Sequence, residues 1–140
     1  MPTPKMPQKV SSISAVFPAY NDAGTIPSMV LTALLALRQV TDDYEVVVTN
    51  DGSTDNTAAV LEELSSRYPE LKVIHHPANQ GYGCALRTGF SNATKDWVFY
   101  TDGDAQYNPM ELIDLTKVIS EDVDVLNGYM ISRHDPWIRV

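Results

Sequence analysis

Cysteine is nearly missing from this chain: Cys84 is the only one in 140 residues. A single thiol cannot close an internal disulfide, which excludes a disulfide-stapled scaffold and makes a reducing compartment the expectation. Cys84 itself reads as a small core residue. Long apolar runs are missing too. The best stretch, residues 29–37, falls far short of the ~20 residues a membrane-spanning helix needs, so no transmembrane segment is expected in this chain. Positive charge is scarce, with 10 Lys and Arg against 18 Asp and Glu and a formal net charge of -8. That balance argues against a nucleic-acid backbone or an anionic membrane surface as a direct partner. It also means that an anionic ligand would need a bridging cation or a local cluster of donors.

Several catalytic signatures are absent as well. There is no Gly-x-Ser-x-Gly elbow and no Cys/His pair to support nucleophilic catalysis. His75 and His76 are adjacent, so they point apart in an extended segment, and no Cys or carboxylate accompanies them at zinc-ligand spacing. Gly81 and Gly83 begin a dinucleotide fingerprint, but its third glycine would fall at Leu86, which excludes that reading. Residues 1–11 are Pro-rich and polar without an apolar signal core and read as a loose tail. Residues 12–140 are long enough for one domain with its own core.

What is present is a regular alternation. Strands are expected over 14–17, 44–48, 71–74, 97–101 and 123–126. Helices are expected over 26–39, 55–68, 82–92 and 108–120. Pro18 is read as ending the first strand. Pro27 suits the first turn of the first helix, whose Met29, Leu31, Leu34, Leu35, Leu37 and Val40 make a broad apolar side. Val60, Leu61 and Leu64 form the inward stripe of the second helix, which Pro69 ends. Gly83 and Gly89 in the third helix suggest close packing or a close ligand. Asn108, Pro109 and Glu111 together make a strong start for the fourth helix. Short connections between alternating strands and helices predict a three-layer α/β/α domain with a mainly parallel sheet. Ligands of such sheets bind at the carboxyl ends of the strands. The polar exits 18–22, 50–51 and 102–104 should therefore share one edge.

The last of these exits carries the most chemistry. In an extended chain, Asp102 and Asp104 point to the same face, with Gly103 between them leaving room for a close approach. Two like charges there repel unless a cation joins them. Gln106 adds a neutral oxygen at the same spacing. These hard ligands suit Mg²⁺ or Mn²⁺ held together with a substrate's phosphates. A plain Asp-Gly turn at the end of a strand is the competing reading.

Four patches, taken together, resemble the family-2 glycosyltransferases of the GT-A fold, closest to the branch that makes polyprenyl- or dolichyl-phosphate sugars. They are Pro18-Ala-Tyr-Asn-Asp22, Asn50-Asp-Gly-Ser-Thr-Asp-Asn-Thr57, Asn79-Gln-Gly-Tyr-Gly83 with Ala85 and Gly89, and Thr101-Asp-Gly-Asp-Ala-Gln106. The resemblance runs over about 12–139. It implies a nucleotide-binding half of Rossmann type and a metal-dependent, inverting transfer of a sugar. The donor would be a nucleotide-diphosphate sugar of UDP or GDP type, and the acceptor a lipid phosphate or a glycan.

By the same resemblance, Asp51 contacts the nucleotide base, with a turn or a helix cap as its structural alternative. Pro18, Tyr20 and Asp22 form the first nucleotide-contacting loop. Asp102, Gly103 and Asp104 match the DxD element, with Asp102, Asp104 and Gln106 on the metal and Asp104 as the catalytic carboxylate. Arg133 and Arg139 are candidate phosphate partners, and Arg87 faces either the phosphates or solvent. The chain departs from the family pattern at Asp22, where Glu is usual, at Asn50, where Asp is usual, and at Met130, where a basic residue is common. Family members normally continue well beyond this point, so the domain reads as incomplete at its C-terminus, and a nucleotide-binding fragment without turnover is the alternative. A sugar-phosphate nucleotidyltransferase would need a Gly-rich, Arg-containing loop after the first strand, which 18–25 does not supply. The expected location is the cytoplasm, at the cytoplasmic face of a membrane for the full-length protein.

Overall fold

A computed structural model describes residues 10–100 and 110–117. Strands β1 (Ile13–Ala19), β2 (Tyr44–Asn50), β3 (Leu71–His75) and β4 (Trp97–Tyr100) form one parallel sheet in the order β3-β2-β1-β4. Helices α1 (Ile26–Val40), α2 (Thr57–Arg67) and α3 (Tyr82–Asn92) are the crossovers, and α4 (Glu111–Thr116) follows β4. The chain steps outward from β1 to β3, then returns across the sheet to β4 on the far side of β1. Right-handed crossovers then require α1 and α2 on one face and α3 on the other. The reversal of direction places the topological switch point between β1 and β4.

Side-chain alternation divides the central strands between these layers. Ile13, Ala15, Phe17, Val46 and Val48 join the core with Ile26, Val30, Ala33, Leu34 and Leu37 of α1. Val16 and Thr49 face α3 instead, at Gly89. A Cβ at Gly89 would run into the Val16 side chain, so this glycine serves close packing, one of the two roles expected for it. Every residue of β1 is buried, as a strand covered on both faces requires.

Three expectations need correction. The first strand does not stop at Pro18, which pairs with Thr49 inside β1. The Ala19 carbonyl accepts from the Asp51 N–H on the β2 side, and the Ser12 carbonyl accepts from the Trp97 N–H on the β4 side. By that alternation the missing donor of Pro18 faces the β4 side, one step beyond the described pairing, which ends at Val16 and Tyr100. β2 likewise extends past Val48 to Asn50, so Thr49 and Asn50 belong to the strand and not to its exit loop. On α1, Leu31 and Leu35 are exposed, so the apolar side is narrower than its composition implied. The proposed cap residues Asn108 and Pro109, and the strand 123–126, lie outside the described residues.

Candidate functional site

Two loops at the carboxyl edge of the sheet are tied to one another. Asn21, after β1, adopts a left-handed backbone with φ 51°, a conformation that Asn tolerates better than most residues. Its N–H donates to Ser53 Oγ at 2.9 Å, and its Oδ1 accepts from the N–H groups of Thr54 at 2.8 Å and Asp55 at 3.3 Å. The Asp22 N–H donates to Thr57 Oγ1 at 3.1 Å, while Asp22 Oδ2 accepts from the Tyr20 N–H at 3.0 Å. Asp22 is therefore a turn-forming residue in this structure, and its carbonyl also starts α1 by accepting from Thr25 and Ile26. Tyr20 is 40% exposed at the rim. Asp55, and neither Ser53 nor Thr54, satisfies an N-terminal donor of α2, accepting from the Thr57 N–H at 2.9 Å. The Thr57 hydroxyl and N–H also hold the Asp55 carboxyl below its ordinary value.

Asp51 follows β2 directly and is only 3% exposed. It does not cap α2. Its Oδ1 accepts from the Gln80 N–H at 2.8 Å and sits 2.8 Å from His76 Nδ1, and its Oδ2 accepts from the Gly81 N–H at 3.0 Å. Burial pushes the carboxyl up, but the His76 ring N–H and the two backbone N–H groups outweigh it and hold Asp51 below the usual carboxylate range. The group is ionised at neutral pH. Gly52 makes the approach of the 76–81 loop feasible: its φ is 66°, and a Cβ there would collide with the Ala78–Asn79 backbone.

The two histidines point apart, as their adjacency predicted. His75 Nε2 lies 2.6 Å from Glu62 Oε1, and its Nδ1 accepts from Asn50 Nδ2 at 3.0 Å. His76 turns to Asp51, with its Nε2 2.8 Å from Thr88 Oγ1 on α3. A carboxylate only accepts, so Nδ1 of His76 carries the proton. The result is a partly buried Thr88–His76–Asp51 chain that sequence reasoning did not find. Asp51 and His76 follow the ends of β2 and β3 while Thr88 lies within α3, and no spacing rule links them. Asn21 was present in a recognised patch, but its role as the tie between two loops is visible only in space.

Asp102, Gly103, Asp104, Gln106, Arg133 and Arg139 lie outside the described residues. Among the described residues, no group of three His, Cys, Asp or Glu could hold a metal ion. Arg87 is exposed on α3. The structure therefore brings together Tyr20, Asp22 and Asp51 at one edge, with Pro18 buried just behind them in β1.

The sequence profile of Glycosyl transferase family 2 matches residues 14–137. The chain belongs to that family. It is 33% identical over 135 residues to an undecaprenyl-phosphate 4-deoxy-4-formamido-L-arabinose transferase of Sodalis glossinidius, a match that covers 95% of this chain and 41% of the relative. The chain thus spans well under half the length of the curated relatives it matches. Among solved structures it resembles the mannosyltransferase PcManGT of Pyrobaculum calidifontis in complex with GDP-Man and Mn²⁺, at a TM-score of 0.66 and 25% identity, covering 84% of this chain and 35% of that one. It also resembles residues 1–349 of S. aureus TarS in complex with UDP-GlcNAc, at a TM-score of 0.59 and 29% identity, covering 74% and 29% respectively. Among the described residues, the four parallel strands match the GT-A fold of this glycosyltransferase family. Its members with similar structures bind UDP- or GDP-sugars, and a divalent metal accompanies the donor in PcManGT.

Proposed function

We propose that this family-2 chain holds the donor side of an inverting, metal-dependent glycosyltransferase that moves a sugar from a nucleotide diphosphate to a polyprenyl phosphate. The observation that carries the reading is the ionised, buried Asp51 held beside two interlocked loops at the carboxyl edge, within a chain whose relatives act on undecaprenyl phosphate. In this reading Asp51 accepts from a base N–H, and the Tyr20 ring packs against the base. Asp22 keeps the intervening loop in place. β4 leads in sequence to Asp102, Asp104 and Gln106, which would hold Mg²⁺ or Mn²⁺. A divalent cation there supplies Lewis-acid neutralisation of the diphosphate as it departs. Arg133 is assigned to the phosphates.

An acceptor phosphate oxygen attacks the anomeric carbon from the face opposite the leaving group. The bond from that carbon to the nucleotide diphosphate breaks, and the configuration inverts. Because the attacking oxygen is already anionic, no strong general base is needed, whereas a glycan hydroxyl would require one. The single cysteine agrees with a reducing compartment, and we place the transfer at the cytoplasmic face of a membrane, where a lipid phosphate is within reach.

Calorimetric titration with UDP-, GDP- and dTDP-sugars, each with and without Mn²⁺, tests the reading. Metal-dependent binding that disappears in Asp104→Asn is expected, followed by turnover with a polyprenyl phosphate. No nucleotide binding by a well-folded protein would overturn the proposal. Donor binding without turnover would reduce it to a nucleotide-binding module.

A further inference from the structure

Counting the acceptor positions on Asp51 narrows what it can recognise. A carboxylate offers about four lone-pair positions, two on each oxygen. Here Oδ1 faces both His76 Nδ1 and the Gln80 N–H, each at 2.8 Å, so both of its positions are taken. Oδ2 accepts from the Gly81 N–H at 3.0 Å, which leaves one position. The arrangement is fixed on every side. Gln80 and Gly81 are backbone donors and cannot rotate away independently. His76 is itself held by Thr88 Oγ1 at 2.8 Å on Nε2, and its side chain is 8% exposed. The carboxylate therefore cannot swing to present both oxygens to a ligand without giving up its bonds to His76 Nδ1 and the Gln80 N–H, which is costly, although the Gly81 N–H has a second acceptor in Asn79 Oδ1 at 3.1 Å.

Nucleobases differ in what they demand of such a group. The Watson–Crick edge of guanine presents two adjacent donors, N1–H and the exocyclic amine, and is best met by both oxygens of a carboxylate. The imide edge of uracil presents one donor, N3–H, between two carbonyl acceptors. A carboxylate with one free position fits the second pattern and not the first. We propose that His76, backed by Thr88, is a positioning residue that restricts Asp51 to a single acceptor position and thereby selects a uracil over a guanine nucleotide. This inference rests on the reading of Asp51 as the base contact.

The test is calorimetry of the full chain with UDP and GDP, each with Mn²⁺, comparing wild type with His76→Leu, His76→Asn and Thr88→Val. Wild type should favour UDP by about tenfold or more, the usual worth of one charged hydrogen bond. His76→Leu frees a position on Oδ1 and should pull the UDP-to-GDP ratio toward one. His76→Asn carries a donor close to the Nδ1 position and should restore the preference, which a merely structural role for the ring would not predict. Thr88→Val leaves the contact with Asp51 in place and should fall between the two; it also serves as the second variant should His76→Leu fail to fold. A wild-type preference for GDP overturns the inference, as does a ratio that neither His76→Leu nor Thr88→Val changes, while the glycosyltransferase reading survives either result. Failure of the folded wild type to bind either nucleotide overturns both.

Discussion

β2 carries a buried carboxylate at each end, and the two are built differently. Glu45, at the amino end, is 8% exposed, and its Oε1 accepts from Ser14 Oγ at 2.8 Å, the Thr94 N–H at 2.8 Å and Thr94 Oγ1 at 3.0 Å. Its Oε2 lies 3.3 Å from Lys72 Nζ. Asp51, at the carboxyl end, is more deeply buried and is met mainly by backbone N–H groups and a histidine. Both carboxyls are held below their ordinary values against the opposing effect of burial. The Glu45 cluster ties β1, β2, β3 and the turn before β4 together with side chains and one cation. The Asp51 cluster shapes a loop and keeps an acceptor position open. The same group at the two ends of one strand is a fastener in one place and, in the proposed reading, a base contact in the other.

The largest expected effect separates these roles. Glu45→Ala leaves the Thr94 N–H and the Ser14 hydroxyl without their acceptor and should cost about 2–4 kcal/mol of stability, read as a lower denaturation midpoint. Its nucleotide affinity should stay within about twofold of wild type, since the change lies at the opposite edge of the sheet. Asp51→Ala should lose stability to a similar extent and also reduce nucleotide affinity by about tenfold to a hundredfold. Equal loss of affinity in both variants would dissolve the distinction between the two ends.

A pair of glycines sharpens the comparison within the carboxyl edge. Gly52→Ala puts a Cβ into the Ala78–Asn79 backbone at a positive φ, and overpacking with strain should cost about 1–3 kcal/mol. The loop that supplies the Gln80 and Gly81 donors would shift with it, so nucleotide affinity should fall as well. Gly83→Ala, in the first turn of α3, meets nothing within 4 Å and should stabilise by about 0.5–1 kcal/mol. Thermal denaturation and calorimetry on both variants would check the opposite signs.

Much of this architecture is legible in the sequence, for physical reasons that also set the limit. The β-branched run 46–48 and the 3.6-residue pattern of α1 are local signals, and with the other alternating segments they mark a parallel sheet with helical crossovers, whereas the strand order β3-β2-β1-β4 is set by contacts distant in sequence. Pro18 misled because the cost of a missing donor depends on which neighbour the donor would face, and that is a property of the sheet. Leu31 and Leu35 misled because composition does not show how wide the covered face of a helix is. Asp51 was recognisable as a residue of interest from its motif. Its partners were not, since Gln80 and Gly81 contribute backbone atoms and His76 and Thr88 come from elements that meet only in the fold.

Acid should act on both ends at once. Each carboxyl has a folded-state value lowered from the model-compound values of 3.8 for Asp51 and 4.5 for Glu45. Between the lowered and ordinary values the unfolded chain binds more protons than the folded one, so stability falls as pH falls. The contribution is complete at neutral pH, begins to fade as pH drops toward the ordinary values, and is lost as pH passes below the folded ones. Denaturation midpoints measured across the acidic range should therefore decline for wild type, with a shallower slope in Glu45→Gln. An identical slope in that variant would show that Glu45 does not contribute.

The smallest effect concerns the one cation in the Glu45 cluster. Lys72 is 43% exposed on its side chain and stands 3.3 Å from Oε2, while also donating to the Asn92 carbonyl at 3.2 Å. Water screens an exposed ammonium, so the pair itself should be worth no more than about 1 kcal/mol. Lys72→Met keeps most of the aliphatic stem and removes the ammonium, with its charge and its hydrogen bond to Asn92. It should lower the denaturation midpoint slightly, with the difference shrinking in high salt. A loss as large as that of Glu45→Ala would mean that the cation, and not the Ser14 and Thr94 hydrogen bonds, holds the amino end of the sheet together. That outcome would make the fastener ionic, and it would bring the amino end closer in kind to the His76-assisted carboxylate at the other end of the strand.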